Sequence, residues 1–246
     1  MQSDKKSAPK DRSIQTTTAQ VLAFDVFGTV VDWHGSVACE VERMVPGVDG
    51  DAFALAWRAG YKPAMQRVMS GALGWTLIDD LHRMILNDVL KDFGITGLDE
   101  AEQRHLNRVW HRLDPWSDSV EGLMRLKSRF TICSLSNGNL GLLTNMAKHA
   151  GLPWDCILSA EVFGKYKPDP ATYLGVARIF DLAPAQVMLV AAHQDDLGAA
   201  GALGLQTAYI ERPTEYGRAH LKDVSPDPRN TLHATSLIDL AVQLGC

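Results

Sequence analysis

The sequence lacks any apolar run long enough to cross a membrane, and its first 19 residues lack the apolar segment of a secretion signal. We therefore expect a soluble, cytoplasmic protein with no membrane partner, whose residues 1–19 form a disordered leader. The chain has 246 residues, 46% of them hydrophobic, which is enough for one large core or for a core domain with an insertion.

A basic surface is also absent, because 24 Lys and Arg residues are outnumbered by 29 Asp and Glu residues and the two signs are interspersed. A polyanion requires a concentrated positive patch, so nucleic acid is not an expected partner. Cysteine is scarce, and the four cysteines show neither CxxC spacing nor neighbouring histidines, which argues against a thiolate metal site. We interpret them as free or buried thiols.

Short apolar runs bounded by turn residues are present, and they predict buried strands. They span residues 20–26, 130–136 and 186–192, with a weaker run at 206–210. Helical periodicity and capping residues predict helices at 139–151, 169–182 and 195–203. This alternation predicts an α/β fold in which a Rossmann-like parallel sheet carries helices on both faces.

Between residues 36 and 113 the pattern changes to one helix after another, for example with Leu81, Ile85 and Val89 on one face. We expect a helical cap domain over residues 36–113, inserted into a core domain of residues 20–35 and 114–246. Because the insertion follows the first strand, the cap should cover the carboxyl ends of the strands as a lid.

Polar residues follow each strong strand at its carboxyl end, where open parallel sheets bind their ligands. They are Asp25 and Thr29 after the first strand, Ser136 and Asn137 at the second, and His193 and Asp196 after the third, with Lys167 in a loop. An Asp is ionised at neutral pH and can attack without a base, and a cation such as Lys167 would keep it charged when buried. The pattern predicts a site in which Asp25 is the nucleophile.

The segments that carry these residues resemble the four motifs of the haloacid dehalogenase superfamily, in the same order. They read "FDVFGT", "SLSNGN", "GKYKPDP" and "LVAAHQDDLGAA". The resemblance covers nearly everything after residue 19, including the helical insertion behind the first motif. It implies the haloacid dehalogenase fold, with Asp25 as the nucleophile.

Two positions separate this chain from the phosphatases of that superfamily, which have an Asp two residues after the nucleophile to protonate the leaving oxygen. Here that residue is Phe27, which cannot donate a proton, whereas a halide leaves as a weakly basic anion and needs none. The fourth motif has Ala192 in place of one magnesium-binding acid. Asp195 could replace that acid, but we expect no metal and no cofactor.

The chain thus resembles the L-2-haloacid dehalogenase branch, which implies hydrolysis of small 2-haloalkanoic acids to 2-hydroxy acids and halide through an aspartyl ester. Arg58, in the cap segment "LAWRAGY", matches that branch's arginine and would hold the leaving halide together with Asn137. Ser136 and Lys167, with backbone amides near residues 26–28, would hold the substrate carboxylate.

Three further residues have supporting roles by the same resemblance. Phe27 would line the substrate site, and Thr29 would position Asp25 by hydrogen bonding. Tyr173 follows Lys167 by six residues, as a tyrosine does in the branch, and would orient that lysine.

The chain departs from the branch where better-known members read "SSN" and this sequence has Ala191, Ala192 and His193. The water that hydrolyses the ester could be activated by Asp196, or by His193 with Asp196 behind it, because imidazole titrates near neutrality. The sequence leaves both open.

Other functions compatible with the same pattern are a phosphatase, a phosphonate hydrolase that forms a Schiff base on a cap lysine such as Lys62, or a catalytically idle member that binds a small acid. The expected partners are a small haloacid substrate and its halide. The sequence leaves open whether the protein forms a homodimer.

Overall fold

The computed structural model describes residues 15–246, and a sheet of six parallel strands lies at its centre. The described residues contain eight strands, of which six form this sheet. They are β1 (Val21–Phe24), β2 (Val31–Asp32), β3 (Asp114–Pro115), β4 (Thr131–Ser136), β5 (Cys156–Ser159), β6 (Val187–Ala191), β7 (Gln206–Ile210) and β8 (Leu232–Ala234). The sheet has the order β5-β4-β1-β6-β7-β8, and β2 pairs with β3 separately. The predicted parallel sheet is confirmed, whereas residues 1–14 of the predicted leader lie outside the described residues.

Helices cover both faces of the sheet and form the part between β2 and β3. They are α1 (Trp33–Met44), α2 (Gly50–Ala59), α3 (Tyr61–Met69), α4 (Ile78–Asp92), α5 (Glu100–Asn107), α6 (Ser119–Lys127), α7 (Leu140–Ala150), α8 (Ala160–Phe163), α9 (Pro170–Ile179), α10 (Gln194–Ala202) and α11 (Leu237–Gln243). No helix in this described part of the chain is both long and apolar enough to span a bilayer.

The central strand β1 is apolar throughout because both of its faces are covered. Leu22 and Phe24 belong to the hydrophobic cluster that includes the buried faces of α6, α7 and α11. Val21 and Ala23 belong to a second cluster, which includes residues of α9 and α10. Alternate side chains of one strand therefore enter two separate cores, as in other parallel sheets covered on both faces.

The predicted strands agree with the structure within one or two residues at each end. The two-residue strands β2 and β3 were not predicted, and neither were β5 and β8. The strands β5 and β8 lie at the edges of the sheet and contain four and three residues. Runs this short carry too little periodicity to be recognised as strands.

The helical segment predicted after β1 is present and runs without a strand from α1 to the 3-10 turn Arg108–His111. The chain enters this part through β2 and leaves it through β3, and these two strands pair antiparallel, Val31 with Pro115 and Asp32 with Asp114. The division into a cap over residues 36–113 and a core on either side stays a prediction.

Candidate active site

Asp25 directly follows β1 and is held by a tight turn, in which Gly28 adopts a φ of 80°. The Thr29 hydroxyl donates a hydrogen bond of 2.8 Å to Asp25 Oδ2 and accepts one of 2.9 Å from the amide of Ala192. Thr29 therefore makes the contact with Asp25 that the sequence predicted, and it also ties this turn to the end of β6.

The second oxygen of Asp25 contacts Lys167, which also contacts Asp196. Lys167 Nζ lies 3.0 Å from Asp25 Oδ1 and 2.6 Å from Asp196 Oδ2, and all three groups are nearly enclosed. Burial alone would raise the pKa of Asp25, but the positive charges of Lys167 and His193 hold it well below its usual range. Asp25 is therefore ionised, as a nucleophilic carboxylate must be.

Tyr173 was predicted to orient Lys167, and its hydroxyl contacts Asp196 rather than Lys167 itself. The Tyr173 hydroxyl donates to Asp196 Oδ1 over 2.6 Å, so both oxygens of Asp196 accept a hydrogen bond, one from Tyr173 and one from Lys167. The reason is that Asp196 lies between the two residues and binds both. Burial, reinforced by the charge of Asp25, raises the pKa of Asp196 against the effect of Lys167.

His193 lies between two carboxylates, and the second is Glu215 rather than Asp196. His193 Nδ1 is 2.9 Å from Asp25 Oδ2, and its Nε2 is 2.8 Å from Glu215 Oε1. Burial alone would lower the pKa of His193, but Glu215 and Asp25 together raise it to about 9. The resting site thus holds an imidazolium between two anions. The predicted arrangement with Asp196 behind His193 is wrong because Asp196 is bound to Lys167 and Tyr173.

Glu215 was not predicted from the sequence, although it is fully buried and its carboxylate binds three groups. Besides His193, its carboxylate accepts from Lys222 Nζ over 2.7 Å and from Trp33 Nε1 over 3.3 Å. It also packs against the turn of Asp25, since a Cβ on Gly28 would lie 2.3 Å from Glu215 Oε1. Ligands bind at the carboxyl ends of parallel strands, so the loop after the weaker strand β7 was also a place to look for site residues. That loop carries Glu215.

A cavity of about 880 Å³ opens above these groups, between the carboxyl ends of the strands and α2 and α3. Eight of the ten predicted site residues line it, and the other two are Thr29 and Ser136. Ser136 is fully buried, and its hydroxyl accepts from the amide of Gly138 over 3.2 Å. The prediction that Ser136 holds the substrate carboxylate therefore has no support in its position.

Asn137, the next residue, does line the cavity. Its Oδ1 accepts from the backbone amide of Lys167 over 2.8 Å, and its Nδ2 lies 3.3 Å from Met65 Sδ. The backbone of Lys167 thus fixes the oxygen of the Asn137 side-chain amide, and the NH₂ group of that amide points towards α3. This leaves a polar N–H group in the cavity lining beside Met65.

Two more predicted residues line the cavity, Arg58 from the cap segment and Phe27 from its place two residues after the nucleophile. Arg58, in the last turn of α2, lines the cavity, and its guanidinium carbon lies 4.3 Å from the ring centroid of Tyr61. Phe27 is buried and packs edge-on against Trp110, with ring centroids 5.9 Å apart. The phenyl ring therefore gives the cavity an apolar wall at the position where it cannot donate a proton.

At the mouth of the cavity Lys62 of α3 forms an ion pair of 3.1 Å with Asp195 of α10, and both side chains are more than two-thirds exposed. Asp195 is thus engaged with α3 and not with Asp25. Among residues 15–246, no three His, Cys, Asp or Glu side chains converge as a set of metal ligands.

Residues 19–204 match the family model described as haloacid dehalogenase-like hydrolase. The (S)-2-haloacid dehalogenase 4A of Burkholderia cepacia is 30% identical over 212 residues, which is 82% of this chain and 89% of the relative. The structure of the L-2-haloacid dehalogenase PA0810 is similar, with 45% identity, a TM-score of 0.88 and coverage of 92% and 99% of the two chains. The defluorinating L-2-haloacid dehalogenase Rha0230 gives 46% identity, a TM-score of 0.88 and coverage of 93% and 96%.

Proposed function

Because the chain belongs to the haloacid dehalogenase-like hydrolase family, we propose that it hydrolyses the carbon–halogen bond of small (S)-2-haloalkanoic acids, giving a 2-hydroxy acid and a halide ion. The observation that carries this function is the environment of Asp25. Its carboxylate is ionised, clamped by Lys167, and shares the cavity with Phe27, whose phenyl ring cannot protonate a leaving oxygen. A halide leaving group requires no proton.

The first step is displacement of the halide by Asp25. Oδ2 already accepts hydrogen bonds from Thr29 and His193, whereas Oδ1 has the contact with Lys167, so Oδ1 is the attacking oxygen. A bond forms between Oδ1 and the carbon that carries the halogen, and the halide leaves with the bonding electrons. Oδ2 becomes the carbonyl oxygen of the aspartyl ester.

The substrate is oriented by Lys167, Arg58 and Asn137, which all line the cavity. Lys167 has three donors, of which its contacts with Asp25 and Asp196 use two, and the third donates to the substrate carboxylate. Arg58 and Asn137, which both line the cavity, bind the departing halide. Loss of these contacts should slow the displacement step.

The ester is then hydrolysed with His193 as the base and Glu215 as its support. Ester formation removes the charge of Asp25, which is one of the two carboxylates that raise the pKa of His193. The imidazolium can then release the Nδ1 proton to solvent, and Nδ1 accepts a proton from the water that attacks the ester carbonyl. The tetrahedral adduct then breaks the bond between the Asp25 carbonyl carbon and Oδ1, and the departing alkoxide takes the proton that His193 received from water. The remaining hydroxyl proton returns His193 to the imidazolium and leaves Asp25 ionised, so one proton and one halide leave per turnover.

The phosphonate hydrolase alternative requires a desolvated lysine amine for the Schiff base. Lys62 is exposed and paired with Asp195, so its position does not provide one. The phosphatase alternative would need a proton donor where Phe27 lies. Fluorinated acids belong with the candidate substrates, because a relative of 46% identity is named as defluorinating.

A single turnover in heavy-oxygen water tests the mechanism, with enzyme in excess over 2-chloropropionate and mass analysis of the peptide that contains Asp25. We expect one heavy oxygen in Asp25 and none in the 2-hydroxypropionate, because water attacks the ester carbonyl. Label in the hydroxy acid and none in the peptide would refute a covalent ester. Turnover of a phosphate ester with added magnesium, without halide release from haloacids, would refute the function itself.

A further inference from the structure

Tyr61 is a cavity residue to which neither the mechanism above nor the sequence motifs assign a role. It is the first residue of α3, immediately after the junction with α2, and only 8% of its surface is exposed. A Cβ on the preceding Gly60 would lie 2.4 Å from Ile85 Cγ2, so this junction is pressed against α4. The backbone that carries Tyr61 is therefore fixed by packing within the helical segment.

The Tyr61 side chain lies between the two residues that bind the departing halide. Its ring face is covered by the Arg58 guanidinium at 4.3 Å, and its hydroxyl interacts with the side chain of Asn137. Tyr61 lines the cavity, and its hydroxyl is the group of this side chain that can donate a hydrogen bond. Burial raises the pKa of Tyr61, so the hydroxyl keeps its hydrogen at neutral pH and acts as a donor.

We propose that the Tyr61 hydroxyl donates a hydrogen bond to the departing halide, together with Arg58 and Asn137, and that this third donor determines how well fluorinated acids are cleaved. The inference rests on the proposed function. In the step concerned, Asp25 Oδ1 bonds to carbon, the carbon–fluorine bond breaks with its electron pair on fluoride, and the Tyr61 O–H bond stays intact.

The halogens differ in how much they need such a donor. Fluoride concentrates its charge on the smallest ion and is the strongest hydrogen-bond acceptor of the halides, and its bond to carbon is the strongest. Bromide is large, diffuse in charge and a good leaving group. A hydroxyl donor aimed at the developing charge therefore lowers the barrier for fluoride much more than for bromide.

The test compares wild type with Tyr61→Phe on fluoroacetate, chloroacetate and bromoacetate, with single-turnover halide release as the measurement. The substitution removes the donor but keeps the ring under Arg58. We expect the rate with fluoroacetate to fall about tenfold to a hundredfold, as for a hydrogen bond to an anion, and the rate with bromoacetate to fall less than about threefold. The bromoacetate rate also shows that the variant is folded.

Tyr216 provides the matched control, because it also lines the cavity but packs edge-on against Trp33. Tyr216→Phe should leave the ratio of the three rates unchanged. Equal losses for all three substrates in Tyr61→Phe would overturn the inference, as would a wild-type enzyme that releases chloride and bromide but no fluoride. Absence of halide release from every substrate would instead refute the proposed function.

Discussion

Replacing His193 by Gln should change how the stability of the protein depends on pH, because the folded chain holds an imidazolium between Asp25 and Glu215. The pKa of His193 rises from the ordinary 6.5 to about 9 in the folded state. This difference corresponds to about 3 kcal/mol of folding free energy. Since His193 is mostly enclosed, with 17% of its side chain exposed, little of this energy is lost to solvent screening.

The sign follows from which state binds the proton more tightly. Below pH 6.5 both the folded and the unfolded chain carry the proton on His193, so the stabilisation is fully present. Between pH 6.5 and about 9 the unfolded chain loses the proton while the folded chain retains it, and the advantage disappears as pH rises through the folded pKa. Wild type should therefore lose about 3 kcal/mol more than His193→Gln over this interval.

Urea denaturation of both proteins at a series of pH values across this interval measures the free energy of unfolding directly. Subtracting the curve of the variant removes the contributions of the other histidines, which the two proteins share. The imidazole signals of wild type in a proton NMR titration provide a second measurement of the same pKa. Parallel stability curves, together with a histidine that titrates near 6.5, would mean that His193 is neutral in the resting enzyme and would refute the imidazolium.

Three further predictions concern Glu215. Glu215→Gln should slow ester hydrolysis about a hundredfold or more but leave the single-turnover release of chloride nearly unchanged. The Asp25 ester should therefore accumulate in quenched samples. Equal losses in both steps would contradict a role for Glu215 in water activation. Lys222→Met should raise the pKa of His193, because the positive charge of Lys222 no longer offsets the negative charge of Glu215. The rise of kcat with pH should therefore move to higher pH in this variant, and Lys222→Arg should restore it. An unchanged pH profile of kcat would show that Lys222 has no such effect. Gly28→Ala should lower the free energy of unfolding by about 1–3 kcal/mol in chemical denaturation, because of the positive φ and the contact with Glu215, and an unchanged midpoint would show that the turn adapts.

The central part of the fold could be predicted because a strand covered on both faces is apolar at every position, as β1 is. The edge strands β5 and β8 could not, because three or four residues do not establish a period. The boundaries of the predicted helices were placed within a few residues, because single capping residues such as Asp169 and Gly151 mark them in the sequence.

Candidate site residues were recognised where a strand delivers them to the cavity, as with Asp25, Asn137 and His193. Ser136 does not line the cavity, because neighbouring residues at a strand end differ in direction, and of the two only Asn137 lines it. Glu215 lies in a loop without periodicity, and its partner His193 is adjacent only after folding. Local sequence therefore predicts which residue types gather at the sheet edge, whereas the pairing among them depends on tertiary contacts.

The pairing of β2 with β3 has a consequence for how relatives of this protein could diversify. Because the two crossing points of the chain are hydrogen-bonded neighbours, Val31 beside Pro115 and Asp32 beside Asp114, the helices between them begin and end at one place. A foreign helical cassette whose termini match this spacing could be grafted there without rebuilding the sheet. Chimeras made at this seam would exchange Arg58 and Tyr61 as a unit, while Asp25 and Lys167 stay with the host.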